Sequence, residues 1–95
     1  MSVAIRRLLF DALKPRETSI VELAKAVGCA GGVEGVDIIV SEVDSKTETI
    51  KLTIKGPQID HDAVTKMMTK YGISIRGVDE ISVANTDCER SSHLS

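Results

Sequence analysis

The sequence predicts a single α+β domain in which the order strand–helix–strand occurs twice. Two observations support this prediction. Four short segments alternate apolar with polar residues, and two others repeat apolar residues at helical spacing. In addition, Gly-Val-Asp occurs at both Gly35 and Gly77, each time after a helix-like stretch. The repeated order assigns residues 1–84 to the domain and leaves residues 85–95 as a polar C-terminal tail.

Four segments have the alternating pattern that is typical of strands. They span residues 3–13, 36–44, 49–56 and 73–84. The third is the most regular, because Ile50, Leu52 and Ile54 point one way while threonines and lysines point the other. In the fourth, Gly77 interrupts the alternation and predicts a bulge or bend. Such patterns favour an antiparallel sheet with one covered face.

Two further segments have the periodicity and the end signals of helices. Ser19 and Glu22 form a capping box ahead of an apolar stripe, and Gly28 suits the C-terminal end of that helix. Asp60 is the predicted N-cap of the second helix, which Gly72 ends. Each helix therefore has one apolar face with which it can cover a sheet.

Interleaving two right-handed strand–helix–strand units gives the ferredoxin-like β-α-β-β-α-β fold. It is a four-stranded antiparallel sheet, order 4-1-3-2, with two helices on one face. The predicted core takes apolar residues from that face and from both helices, namely Leu8, Phe10, Ile20, Leu23, Val27, Val36, Ile38, Val40, Ile50, Leu52, Ile54, Val64, Met67 and Met68. On the opposite face, the first strand carries Ile5, Leu9 and Leu13 around Arg7 and Asp11. Large aliphatic residues on that side of a central strand predict a self-association surface.

Composition excludes several classes of function. The 95 residues carry a net charge of −2 and contain one Phe and one Tyr. A nucleic-acid partner is therefore not expected, since such proteins present basic patches and stacking aromatics. No segment reaches the roughly 20 apolar residues of a membrane span. Cys29 and Cys88 do not form a paired motif, so free thiols and a cytoplasmic location are expected.

Acidic residues supply the main candidate site. Asp11, Asp79 and Glu80 can offer oxygens to a divalent cation such as calcium, which takes about six to eight oxygen ligands. The suspected bulge at Gly77 could aim Asp79 and Glu80 together. The alternative is structural: Asp79 pairs with Arg7 across neighbouring strands, and the other carboxylates are solvated.

Two weaker candidates lie near the helix starts. Lys14, Arg16, Thr18 and Ser19 surround the first helix N-terminus, which could attract an anion. A capped helix with solvated neighbours explains them equally. His61 could bind a metal or act as a base, but it also fits a surface position beside a cap. Because no nucleophile–base motif is present, the sequence predicts that the protein is not an enzyme.

Several segments resemble a known family of small archaeal proteins. The similarity lies in residues 5–15 (IRRLLFDALKP), 19–24 (SIVELA) and 32–36 (GVEGV), and in the pairs Val43-Asp44, Thr47-Glu48 and Asp79-Glu80. The family is catalogued as a domain of unknown function, number two hundred and eleven in its series. The resemblance implies a ferredoxin-like fold and a homo-oligomer. It also implies a divalent cation such as calcium as a ligand in some members.

These observations favour an oligomeric binding module that holds a divalent cation or a small metabolite near a subunit interface. Asp11, Asp79 and Glu80 would supply oxygens, while Arg7 would balance charge. Two alternatives remain open. One is a structural protein whose homo-oligomeric assembly is its function. The other is a small-molecule-sensing domain of the amino-acid-binding (ACT) kind.

Overall fold

The computed structural model describes residues 3–85 and contains six elements in the predicted order. They are β1 (Val3–Pro15), α1 (Ile20–Gly28), β2 (Gly35–Val43), β3 (Thr47–Lys55), α2 (His61–Lys70) and β4 (Ser74–Asn85). The sheet has the order β2-β3-β1-β4, and every neighbouring pair is antiparallel. The predicted ferredoxin-like fold is therefore confirmed, and the helices cover one face. The residues predicted as a tail lie outside the described part, apart from Asn85.

Alternation along the two central strands builds the core. Leu8, Phe10 and Ala12 of β1 are fully buried, and each stands beside a buried residue of β3 in the ladder. Facing residues of an antiparallel pair share one side of the sheet, so this side is the one beneath the helices. The core cluster consists of Leu8, Phe10, Ala12, Leu23, Val27, Ile50, Leu52, Ile54, Ile59, Val64, Met68 and Ile73.

The predicted core is confirmed for most of its members. Val36, Ile38, Val40 and Met67 pack against the cluster while remaining partly exposed. Ile20 is only half-buried and is not among its members. Ile59 and Ile73 are core residues that the prediction did not include. Ile59 lies in the loop before α2, and Ile73 comes just before β4, which begins one residue later than predicted.

Both helices begin at the predicted caps. The Ser19 hydroxyl accepts hydrogen bonds from the backbone N–H groups of Val21 and Glu22, at 3.1 and 3.3 Å. Asp60 accepts from the N–H of Ala63 at 3.1 Å. Each cap pairs N–H groups that a helix start would otherwise leave unsatisfied, so the two helices start at defined places on the sheet.

The loop before β2 and the loop before α2 are locked together by close backbone contact. Gly32 has φ +78°, and a Cβ added there would lie 1.7 Å from the carbonyl oxygen of Gln58. A Cβ on Gly56 would lie 1.9 Å from the carbonyl oxygen of Gly32. Only glycine permits these approaches. The N–H of Asp60 donates to the carbonyl of Gly31 at 2.9 Å, which fixes the start of α2 against the first loop.

The ladder between β1 and β4 contains three register shifts. The register skips one residue of β1, Arg6, and two residues of β4, Arg76 and Asp79. The predicted irregularity near Gly77 is thereby confirmed on both sides of that glycine. Each extra residue reverses the alternation beyond it, and this reversal decides which face of the sheet several side chains occupy.

The placement predicted for Ile5 on the uncovered face is wrong. Arg6 is the extra residue between Ile5 and Arg7, so the alternation inferred from Arg7 onward does not extend to Ile5. Ile5 instead packs against the hydrophobic core.

Among the described residues, no helix is long and apolar enough to cross a membrane.

Candidate functional site

The side of the sheet away from the helices, called the open face, carries a group of charged side chains from three strands. Asp11 of β1 faces Lys51 of β3 in the ladder. The Lys51 Nζ lies 2.8 Å from Oδ2 of Asp79 and 3.5 Å from Oδ1 of Asp11. Lys51 therefore joins β3 to the central strand and to the edge strand β4.

A second ion pair lies beside it on the same face. The Arg7 Nε donates to Oε1 of Glu80 at 3.1 Å. Consecutive residues of a regular strand point to opposite faces, yet Asp79 and Glu80 both reach cations of the open face. The bulge explains this, because Asp79 is the residue that the ladder skips, and bulges redirect side chains in this way.

These contacts correct the predicted pairing of Asp79 with Arg7. Arg7 binds Glu80, and Asp79 binds Lys51. We call the five residues Arg7, Asp11, Lys51, Asp79 and Glu80 the open-face charge cluster. With two cations and three carboxylates, the cluster carries one net negative charge when all its members are ionised.

Lys51 is the electrostatic centre of the cluster. Its hydrogen bond to Asp79 raises the pKa of Lys51 above the ordinary value of 10.5, and the nearby Asp11 carboxylate acts in the same direction. Because the lysine is partly exposed, solvent screens these interactions and each pair stabilises the fold only weakly. The cluster therefore organises the surface more than it holds the domain together.

Asp11 is the least satisfied member of the cluster. Its Oδ1 atom is buried and has no hydrogen-bond donor, although Lys51 lies at ion-pair distance. Buried polar atoms are nearly always paired. This oxygen can therefore still accept a hydrogen bond.

Aliphatic side chains flank the charges. Leu9 and Leu13 of β1 are half-buried on the open face, where Leu9 faces Glu80 and Leu13 faces Ser74. Ile39 of β2, which faces Lys51, is 65% exposed. The predicted interface residues Arg7, Leu9 and Leu13 thus share one surface, and Ile39 extends it.

The predicted cation ligands do not converge within one chain. Asp11 and Asp79 meet at Lys51, whereas Glu80 is engaged by Arg7. No group of three or more His, Cys, Asp or Glu side chains that could hold a metal is found among residues 3–85. Calcium requires about six to eight oxygens, more than Asp11 and Asp79 supply where they meet at Lys51.

The basic residues near α1 have a structural arrangement. Lys14 is fully buried: its Nζ lies 2.8 Å from Oε1 of Glu48 and donates to the carbonyl oxygens of Pro15 and Thr18. The Lys14 ammonium is therefore occupied by partners of its own chain near the start of α1, where the anion position was predicted. Extending the alternation of Leu8, Phe10 and Ala12 by one step would have placed Lys14 on the helix side.

The remaining reactive candidates stay apart from the cluster. The Nδ1 atom of His61 lies 3.6 Å from Oδ1 of Asp62. The centroid of the His61 ring lies 6.1 Å from that of the Phe10 ring. Cys29 is exposed at the end of α1. Cys88 lies outside the described residues. No pocket is present in the part of the chain that the structure describes.

The fold and this surface define a small ferredoxin-like α+β domain whose charged side chains form a lateral network on an open sheet. Comparison of the sequence with known families then identifies it more closely. The chain belongs to the family DUF211, described as "Uncharacterized ArCR", whose model matches residues 6–94. It is also similar to the uncharacterized protein MJ0319 of the archaeon Methanocaldococcus jannaschii, at 36% identity over 77 residues. That similarity covers 81% of this chain and 79% of the relative.

Proposed function

We propose that this protein is a non-enzymatic module that assembles with copies of itself through the open face of its sheet. The observation that supports this is the combination of half-buried and exposed aliphatics with charges that are already paired laterally. Arg7 and Lys51 each have a carboxylate partner within the chain. A second surface can therefore cover Leu9 and Ile39 without leaving those two cations unpaired, which is the costly outcome at an interface.

The mass of the protein in solution tests this proposal. Leu9→Asp places a charge among the aliphatic residues, and we expect it to lower the mass measured by light scattering to that of a smaller assembly. Val21→Asp is the matched control, since Val21 is an exposed valine of α1. An unchanged mass for Leu9→Asp, with circular dichroism showing a folded protein, would count against the open face.

A divalent cation held between copies is a second candidate function, which the Oδ1 of Asp11 favours because it is buried and accepts no hydrogen bond. Asp11 and Asp79 would supply part of the coordination and a neighbouring copy the rest. Glu80 would join them only after release from Arg7. The same oxygens could instead bind a cationic group of a small metabolite.

Calorimetric titration separates this candidate from assembly alone. Calcium, magnesium and a panel of metabolites are titrated into the wild-type protein and into Asp11→Asn. We expect heat and a raised melting temperature with the wild type and a loss of both with the variant. If no titrant gives heat or a thermal shift, assembly alone remains.

A further inference from the structure

The edge strand β4 carries a row of exposed aliphatic residues on the side of the sheet that the helices occupy. Ile75, Val78 and Ile81 face Ala12, Phe10 and Leu8 of β1 in the ladder, and those three neighbours are buried. Ile75, Val78 and Ile81 are nevertheless 36%, 48% and 54% exposed. The helix layer therefore covers β1 but leaves β4 uncovered.

The two bulges of β4 create this row. Residues three apart point to opposite faces of a regular strand, but one extra residue lies between each pair of these aliphatics. The ladder skips Arg76 between Ile75 and Val78, and it skips Asp79 between Val78 and Ile81. Without the bulges, the row would be divided between the two faces.

The outer edge of β4 is also available for pairing. Within residues 3–85, β4 is hydrogen-bonded to β1 alone and forms one border of the sheet. An exposed edge is a template for another strand. Its aliphatic row makes this edge more favourable for association than a polar edge would be.

The sequence of β4 is complementary to itself in one antiparallel register. With Val78 facing the partner's Val78 on a two-fold axis, Ile75 faces the partner's Ile81 on the helix side. Arg76 then faces the partner's Glu80, a carboxylate that Arg7 of the partner's own chain also contacts. Arg76 forms no ion pair with the other described residues, so this register gives it a carboxylate partner.

Other symmetric registers are less favourable. A two-fold axis at Ser82 pairs Ile81 with the partner's Val83, but it leaves Ile75 outside the paired segment and places Glu80 opposite an alanine. An axis at Glu80 or Ile81 sets residues of opposite faces against one another around the Asp79 bulge. Only the axis at Val78 matches both the faces and the charges.

We infer that β4 pairs with β4 of a second copy, antiparallel about a two-fold axis at Val78, to give a continuous eight-stranded sheet. Closed two-fold dimers are the commonest oligomers, and this pairing adds three facing aliphatic pairs to the backbone hydrogen bonds. The inference shares with the proposed function the assumption that copies associate, but it uses a different surface. It therefore names a contact that can exist without the open face.

A symmetric disulfide tests the register. Val78→Cys is introduced with Cys29→Ser and Cys88→Ser, so that no native thiol remains, and the protein is oxidised. Facing residues on an antiparallel axis lie about 4.5–5.5 Å apart between Cα atoms, within the range of a disulfide. We expect most of the protein molecules to form a covalent dimer. Intact-mass spectrometry should detect this dimer, and a reductant should convert it back to monomer.

Two matched variants make the result specific. Val83→Cys, at a similarly exposed valine on the same side of β4, is five positions from the axis and should cross-link at least tenfold less. Ser82→Cys should also cross-link weakly. Equal cross-linking of Val78→Cys and Val83→Cys, or preferential cross-linking of Ser82→Cys, would overturn the proposed register.

Solution mass separates this contact from the alternatives. Val78→Asp should abolish the β4 dimer, whereas Val43→Asp, on the other border strand, should leave it intact. Arg76→Glu should weaken the dimer at least tenfold at low salt, and Arg16→Glu should not. Sensitivity to Val43→Asp would instead indicate head-to-tail pairing of β4 with β2 and contradict the inference.

The proposed function and this inference fail independently. If Leu9→Asp leaves the mass unchanged while Val78→Cys still cross-links, the open-face proposal fails and the β4 contact stands. If Leu9→Asp reduces the mass while Val78→Cys does not cross-link, the inference fails. A wild-type protein that stays monomeric at all concentrations contradicts both.

Discussion

Lys14 and Glu48 form an ion pair with 2.8 Å between Nζ and Oε1, at a site where the lysine side chain is 1% exposed. The two residues face each other across β1 and β3. Lys14 also donates to the carbonyl oxygens of Pro15 and Thr18. This one side chain therefore joins the end of the central strand, the β3 ladder and the turn that leads into α1.

Removing the charge of Glu48 should destabilise the domain. In Glu48→Gln, the buried Lys14 ammonium keeps two carbonyl acceptors but loses its counter-ion. We expect a loss of about 2–3 kcal/mol in the free energy of unfolding, at or below the lower end of the cost of breaking a buried pair, because the Glu48 side chain is 18% exposed. Urea denaturation measures it. Glu42→Gln, at an exposed glutamate of β2, should change the value by less than about 0.5 kcal/mol.

Lys51 should make stability depend on pH in the alkaline range. Its pKa is raised in the folded protein by the hydrogen bond to Asp79, so the folded state holds this proton more tightly than the unfolded state does. The contribution is fully present below the ordinary pKa of 10.5 and is lost as the pH rises through the higher folded value. The stability difference between the wild type and Lys51→Met should therefore shrink above that pH.

Thermal unfolding of the wild type and of Lys51→Met is measured from about pH 8 to about pH 12, a range that brackets the ordinary lysine pKa. Lys66→Met is a suitable control, because Lys66 is an exposed lysine of α2 whose side chain forms no ion pair within residues 3–85. A difference between wild type and Lys51→Met that grows with rising pH would contradict the assigned contacts.

Gly32→Ala should be strongly destabilising. The added Cβ would meet the carbonyl oxygen of Gln58 at 1.7 Å, and the residue would have to keep φ +78°. We expect a loss of about 3 kcal/mol or more, since a left-handed conformation and a backbone clash are combined. Gly28→Ala has no atom within 4 Å of its new Cβ, so its stability should stay within about 0.5 kcal/mol of the wild type. Similar values for the two variants would contradict the loop contact.

Ile59 should behave as a core residue although it lies in a loop. It is 4% exposed, belongs to the core cluster, and its N–H donates to the carbonyl of Ile5 at 2.9 Å. Ile59→Ala should cost about 2–4 kcal/mol, as for other large-to-small core changes. Gln58→Ala, at the exposed neighbouring side chain, should be close to neutral. Equal effects would show that Ile59 is not part of the core.

The regular elements could be predicted from the sequence because their signals are local. Caps at Ser19 and Asp60 and the alternation of β3 depend on neighbouring residues alone. The placement of Ile5 could not be predicted, since it depends on which residue of β1 the register with β4 skips. That choice involves residues more than 70 positions apart and leaves no local pattern.

The charge cluster could be predicted only in part for the same reason. Asp11, Asp79 and Glu80 were identifiable as carboxylates near a bulge, but their partners depend on strand register. Lys51 was assigned to the correct face by alternation, and only the β1–β3 register brings it opposite Asp11. A one-residue slip would have faced Asp11 with Ile50 or Leu52 and removed the cluster's central cation.

The contact of Gly32 with Gln58 also constrains how the molecule can come apart. Gly32 belongs to the first strand–helix–strand unit and Gln58 to the second, and both strand neighbours of β1 come from that second unit. Neither unit can open alone without breaking the ladders and the loop contact of the other. We therefore expect the two units to unfold as a single cooperative unit. In native-state hydrogen exchange, the slowest-exchanging amides of both units should then give the same free energy of opening.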